Sequence, residues 1–342
     1  MLRLMRNFCF SFLLALPLPL FAQELINSQQ STALLNDLTW YSKQYIEPAS
    51  ESIIYQAASA WMISPKKREA WKFTLGLQNN LFVVPGKNRN FSVQNSDFEF
   101  FEIEGVNNNN PVSVPTVLGI KSPFYLVGDI EVNGDPQTIS LRMDGVNQEI
   151  IYYPYLHGNL SLPLGFELHV KYSFKNRLKR GEYQVYGIGL QYNISQHFAN
   201  SNGFNLAVLG AYNNEIINVD FVQSYRTQID IGLRTFNTEA QGYQLQLAGS
   251  KEFGKWELIG GLVWNKSFLK HYFDGVPADI QGVSIDLMPI FNSKVEEFKK
   301  EQTLWMGEMS VRYSFAKKWH AQTTFSFGRL FNSNLGIQYD FM

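Results

Sequence analysis

Between Leu164 and Phe174 apolar and polar residues change places at every step. Leu164, Phe166, Leu168, Val170, Tyr172 and Phe174 share one parity, and Gly165, Glu167, His169, Lys171 and Ser173 the other. A period of two belongs to a strand with two unlike faces, and helix geometry cannot produce it. The alternation recurs around 186–194, 204–212, 243–247 and 256–264, and three more times before the C-terminus. There Trp305, Gly307, Met309, Val311, Tyr313 and Phe315 oppose Glu308, Ser310, Arg312 and Ser314. After a turn at Ala316-Lys317-Lys318, Trp319, Ala321, Thr323, Phe325 and Phe327 oppose His320, Gln322, Thr324 and Ser326. Leu335, Ile337, Tyr339 and Phe341 close the series against Gly336, Gln338 and Asp340. Upstream, Ile53–Ile63 and Trp71–Val83 read as a first hairpin about the turn Pro65-Lys66-Lys67-Arg68.

Rings mark the strand ends. With a rise of about 3.3 Å per residue and the tilt of transmembrane strands, Trp305 and Phe315 stand roughly 25 Å apart along a membrane normal, the height of the apolar band of an outer-membrane barrel. Trp256 and Trp264 repeat the arrangement, with indoles where an amphipathic ring is most stable. In water the six apolar side chains of 164–174 demand a partner sheet; in lipid they demand none. An open sheet in lipid leaves edge N–H and C=O groups unpaired at several kcal/mol each, so the sheet must close. The expected fold is all-β: a closed antiparallel transmembrane barrel over 51–342. Eleven crossings are legible, and an antiparallel barrel needs an even number, which gives an expectation of 12–14 strands, the missing ones sought at Ile229–Leu233, Val283–Met288 or in the insertion described next.

Two stretches break the pattern. From Asn27 to Tyr45, Leu34, Leu38, Tyr41 and Tyr45 form a helical stripe after a possible cap at Ser31, and Pro48 halts its continuation. The segment 23–50 is therefore expected to be a short helix that plugs or covers a barrel mouth, on the periplasmic side. Residues 85–148 are an irregular insertion, expected to form extracellular loops. Residues 1–22 read as a secretory signal: Arg3 and Arg6, then an apolar run from Phe8 to Phe21, then Ala22.

Composition sharpens this picture. Of 342 residues, 45% are hydrophobic and 15% aromatic but only 17% charged, which suits an apolar exterior better than a wetted one. No run after residue 22 reaches the ~20 apolar residues of a membrane helix. A net charge of -1 gives no reason to expect nucleic acid. The only cysteine, Cys9, lies in the signal, so the mature chain has no thiol chemistry.

Polar residues on the inward parity are the candidate lumen lining: Lys72, Glu167, His169, Lys171, Glu308, Arg312 and His320. Glu308 and Arg312 could pair within the lumen. Glu167, His169 and Lys171 are the nearest approach to a catalytic set, but consecutive residues on one strand face stand about 7 Å apart, beyond proton-transfer reach. No enzyme, no metal and no cofactor is expected; none of the five histidines shows a short ligand spacing.

The layout resembles outer-membrane barrels of Bacteroidota type grouped as a domain of unknown function. The resemblance rests on Tyr45-Ile46-Glu47-Pro48, Val114-Pro115-Thr116-Val117-Leu118-Gly119, Pro163-Leu164-Gly165-Phe166-Glu167-Leu168, and Gly249-Ser250-Lys251 before Gly260-Gly261. It implies a barrel and no activity. A weaker likeness in layout is to long-chain fatty-acid transport barrels. The ending, with Phe341 next to last, resembles the terminal strand by which the barrel-assembly machinery recognises its clients. The expected location is the cell outer membrane, with its lipid as partner. The expected function is a passive channel or transporter for small or apolar compounds; the alternative is a surface-exposed structural or adhesive barrel.

Overall fold

The computed structural model describes residues 28–341, save 108–109, 133–134, 178, 199–201, 221, 226–230, 281–282 and 299. The signal segment 1–22 lies outside the described residues.

Ten strands form the wall: β1 (Phe73–Val83), β2 (Ile150–Ser161), β3 (Phe166–Tyr172), β4 (Glu182–Asn193), β5 (Phe204–Asp220), β6 (Leu233–Phe253), β7 (Trp256–Gly275), β8 (Lys300–Ser314), β9 (Trp319–Phe327) and β10 (Phe331–Asp340). Each pairs antiparallel with its sequence neighbours, and β10 returns to β1, with Ile337 opposite Leu77. The barrel is closed, and every wall strand has two partners. Ten replaces the expected 12–14. The excess came from Ile53–Ile63, which was counted as a crossing but is helical to Ala58 and then runs inside the barrel. Without that segment the eleven legible crossings become ten, an even number that closes the barrel. Val283–Ile285 pairs only with Ala278–Ile280, and the insertion adds nothing to the wall.

The alternation read from the sequence is the alternation of wall faces. Leu247, Leu262, Leu335 and Ile337 are each 50–57% exposed on the outside, while Gln246, Gly261, Gly336 and Gln338 point inward. Among the described residues no helix is long and apolar enough to cross a membrane.

The two ends differ. At one end the connections are short, 162–165, 254–255 and 315–318; at the other they include 84–149 and 276–299. β5, β6 and β7, of 17, 21 and 20 residues, extend past the ring-marked band toward the long-loop end, where their outward residues turn polar at Glu239, Gln241 and Lys270.

The insertion is ordered. Glu102–Ile103, Leu126–Val132, Asp135–Asp144 and Val222–Tyr225 make a four-stranded sheet, and Asn90–Val93 pairs with Val112–Pro115. Phe101, Ile103, Ile130, Ile139 and Leu141 bury themselves there with Leu34, Leu38 and Tyr41 of the N-terminal helix α1 (Ser28–Ala58). The prolines and asparagines that made this stretch look irregular occupy its turns and connections. A second helix, α2 (Met288–Val295), packs on β7.

Candidate functional site: the plugged lumen

Ten strands at a spacing of about 4.8 Å and a tilt of about 40° make a cylinder about 20 Å across between opposite Cα atoms. Inward side chains leave space for little more than one thin chain, and the protein's own N-terminal segment takes it. α1 runs to Ala58, past the Pro48 at which the sequence predicted a stop. Packing on both faces outweighs the one helical hydrogen bond that proline removes, and the Ser52 hydroxyl donates to the Pro48 carbonyl at 2.7 Å. The helix then gives way at Ala60, whose φ of 55° is left-handed, and an extended strand of chain continues to the short-turn end before rising as β1.

The chain is narrow where the lumen is tightest. Ala57, Ala58 and Trp61 are 0% exposed, as are His157 and His169 on the facing wall, so no open path runs past them. At Gly187 an added Cβ would stand 2.8 Å from the Trp61 ring; the missing side chain admits the indole.

Polar bonds hold this segment. The Lys171 ammonium donates to the carbonyls of Ala57 (3.2 Å) and Ser59 (2.8 Å) at the end of the helix, the first of which also accepts from the Trp61 indole N–H (2.8 Å), and it lies 4.6 Å from the Tyr155 ring centroid and 5.2 Å from that of Trp61. Opposite, the Glu308 carboxylate accepts from the Ala60 N–H (2.7 Å), the Gln246 amide (2.7 Å) and the Ser326 hydroxyl (2.8 Å). Asn80 donates to Gln56, and Asn332 to Ser59 and Asn80, at 2.6–2.8 Å. Further down, the Ser64 hydroxyl donates to Glu257 (2.7 Å) and the Gln191 amide to the Ser64 carbonyl (2.9 Å).

Comparison with known proteins falls on the whole chain. The model of a family of unknown function, DUF6588, matches residues 1–341. The chain belongs to this family. No curated protein matches the sequence. Among solved structures, the chain is similar to an outer-membrane channel from Pseudomonas putida F1, at 10% identity and a TM-score of 0.36, covering 83% of this chain and 100% of the channel. It is also similar to the outer membrane protein OprG from Pseudomonas aeruginosa, at 8% identity and a TM-score of 0.28, covering 80% and 98%, and to the outer membrane protease OmpT from Escherichia coli, at 8% and 0.27, covering 83% and 100%.

In this DUF6588 barrel the residues singled out from the sequence do not form one site. Glu167, His169 and Lys171 all lie buried on the inner face, and Lys171 bonds the plug. Glu167 accepts from Asn159 (2.7 Å) and lies 3.6 Å from His169, whose other ring nitrogen meets His157 at 3.3 Å. Glu308 and Arg312, for which a pair within the lumen was open, bond different partners: Arg312 donates to Gln338 (3.0 Å) and lies 3.7 Å from Glu257. His320 sits near the short-turn rim between Ser314 (2.8 Å) and Asp340 (3.0 Å). Lys72 is outside the lumen, half-exposed and paired with Glu69 at 2.8 Å; its ammonium holds the Glu69 carboxyl below the usual carboxylate range.

Leu34, Leu38, Tyr41 and Tyr45 are buried as their stripe predicted, but against the insertion at the long-loop end, opposite to the mouth expected for them. Tyr41 meets the Phe91 ring at 5.2 Å, and the Tyr45 hydroxyl donates to the Asp144 carbonyl at 2.8 Å. The plug is instead 56–65, which overlaps the expected wall strand Ile53–Ile63 and the start of its turn at Pro65. Its signal was present: Ala57-Ala58-Ser59-Ala60 offers neither alternation nor bulk.

Proposed function

We propose that this protein resides in the bacterial outer membrane as a barrel shut at rest, and that it conducts small compounds when its own N-terminal segment shifts in the lumen. The carrying observation is the bonding of Ala57–Ala60 between Lys171 and Glu308. Such a contact is polar, and because water can replace either partner each bond to a charged group is worth a net of only about 1.5–3 kcal/mol. Ala57 to Ala60 can leave these partners and be rewetted, while Trp61 and Met62, buried with Ala207, Leu209 and Ile259, anchor the next turn of the chain by apolar packing. The closed path at Ala57, Ala58 and Trp61 means that flow requires this step.

The test is conductance in planar bilayers. The wild type stays shut for most of the recording; Lys171→Met combined with Glu308→Leu, which removes both anchors, raises the open fraction at least about tenfold, since each charged bond is worth about 1.5–3 kcal/mol. A folded, inserted double variant as silent as the wild type overturns the gating reading. It would favour the alternative, a surface-presenting barrel, which draws support from the ordered sheet that 85–148 builds with α1 at the long-loop end.

A further inference from the structure

At the short-turn end the aromatic girdle is continuous along one arc of the wall. Trp256 on β7 lies 4.3 Å from Tyr313 on β8; Phe315 stacks on Trp319 of β9 at 6.4 Å; Trp319 meets Tyr339 of β10 at 4.8 Å, and Tyr339 meets Phe341 at 4.8 Å. Trp256, Phe315, Trp319 and Phe341 are 43–51% exposed, so the arc is an open apolar shelf. Three lysines sit on its rim, in turns tied to one another: Lys255 accepts at its carbonyl from the Ser314 N–H (2.8 Å), and Lys318 from the Asp340 N–H (2.9 Å), with Lys317 between.

The charges there are unbalanced. The carboxylates at this end are taken by other cations: Glu252 by Lys66 at 2.6 Å, Glu69 by Lys72 at 2.8 Å, and Asp340 by His320 at 3.0 Å and Arg68 at 3.7 Å. Among the described residues none lies within ion-pair distance of the Lys255, Lys317 or Lys318 ammonium; Lys318 stands 5.9 Å from the Tyr339 ring centroid. The long-loop girdle contrasts with this, because Lys266, beside Trp264 and Trp305, is neutralised by Glu301 at 2.7 Å. Unpaired ammonium groups just below an exposed aromatic shelf match a molecule whose negative head adjoins its apolar body.

We infer that this arc, from the turn at Lys255 to the turn at Lys318, is a binding site for an anionic phospholipid, with phosphate on the three lysines and the glycerol and upper acyl chains on Trp256 and Trp319. The inference rests on the bilayer-spanning reading above. The leaflet facing the short turns is the one that supplies the lipid, and long lysine side chains reach headgroup phosphate from such a position.

The experiment is lipid retention by native mass spectrometry of the full-length protein from nanodiscs of phosphatidylcholine doped with phosphatidylglycerol or cardiolipin. The wild type is expected to retain the anionic lipid over phosphatidylcholine. Lys255→Gln, Lys317→Gln and Lys318→Gln together weaken that retention at least about tenfold, while the charge-matched triple Lys87→Gln, Lys121→Gln and Lys270→Gln leaves it intact. Equal loss in both triples would reduce the effect to net charge and overturn the site, as would a Lys255/Lys317/Lys318 variant that binds like the wild type. A wild-type chain that fails to enter the nanodisc at all sinks the bilayer reading and this proposal with it, whereas an inserted barrel without lipid preference sinks this proposal alone.

Discussion

Asp37 shows how much one side chain can organise here. It is 2% exposed on α1, and its carboxylate accepts three backbone N–H groups, from Glu99 (2.8 Å), Phe100 (2.8 Å) and Phe101 (2.9 Å). A carboxylate that collects several N–H bonds is among the stronger polar contacts a chain makes. It fixes the bend that delivers Phe98 edge-on to Trp40, ring centroids 5.5 Å apart, and Phe101 into the core under the insertion's sheet. Asp37→Ala strands three donors, two of them beside buried rings, and is expected to cost about 2–4 kcal/mol. Limited proteolysis within 95–106 reads the result: rapid cleavage there with the barrel intact is the expected outcome, and an unchanged digest would show that the rings alone hold the segment.

At the scale of the element, α1 has two unlike halves. Residues 28–45 pack on the insertion with Leu34, Leu38 and Tyr41, while Gln56 to Ala58 and the chain beyond them fill the lumen through polar bonds. The two halves should answer separately to deletion. Removing 28–45 loosens the sheet at the long-loop end but leaves Lys171 and Glu308 bonded to the plug, so conductance stays low. Removing 28–65 empties the lumen, and the remaining barrel, whose ten strands close without that segment, inserts and conducts continuously. Single-channel recording distinguishes the two. A shorter deletion that opens the pore as fully as the longer one would place the seal in the upper half of the helix and contradict the division.

For the whole molecule the decisive property is that the barrel wall turns apolar side chains outward and many polar ones inward, the reverse of a protein dissolved in water. Leu168 faces outward on β3 between Glu167 and His169, which face inward and are 4% and 0% exposed. If the outward face meets lipid, Leu168→Arg costs about 2–4 kcal/mol near the bilayer midplane, and the inward Glu167→Gln, which keeps an acceptor for Asn159, costs far less. Urea unfolding from lipid vesicles measures both. Comparable losses, or a larger one for Glu167→Gln, would mean that the outer face is not immersed in hydrocarbon.

The sequence by itself determined the class of fold, because alternation is a local property: Phe166 and Leu168 must point opposite to Glu167 and His169 in any strand, whatever lies around it. It also determined the existence of a helix carrying Leu34, Leu38 and Tyr41. Strand number and plug identity were decided only by the tertiary structure. Ile53–Ile63 carries isoleucines that fit a strand or a helix equally well, and its choice depends on the long-range burial of Ala57, Ala58 and Trp61 and on bonds from Lys171 and Glu308, 114 and 248 residues away from their plug partners. The same holds for the inward charges. Parity put Glu308 and Arg312 on one face, but which partner each takes follows from closure of the barrel, which brings Ala60, Gln246 and Ser326 around the first and Gln338 and Glu257 around the second. Periodicity is written between neighbours in the chain, whereas a sealed lumen is made by residues that become neighbours only when the last strand meets the first.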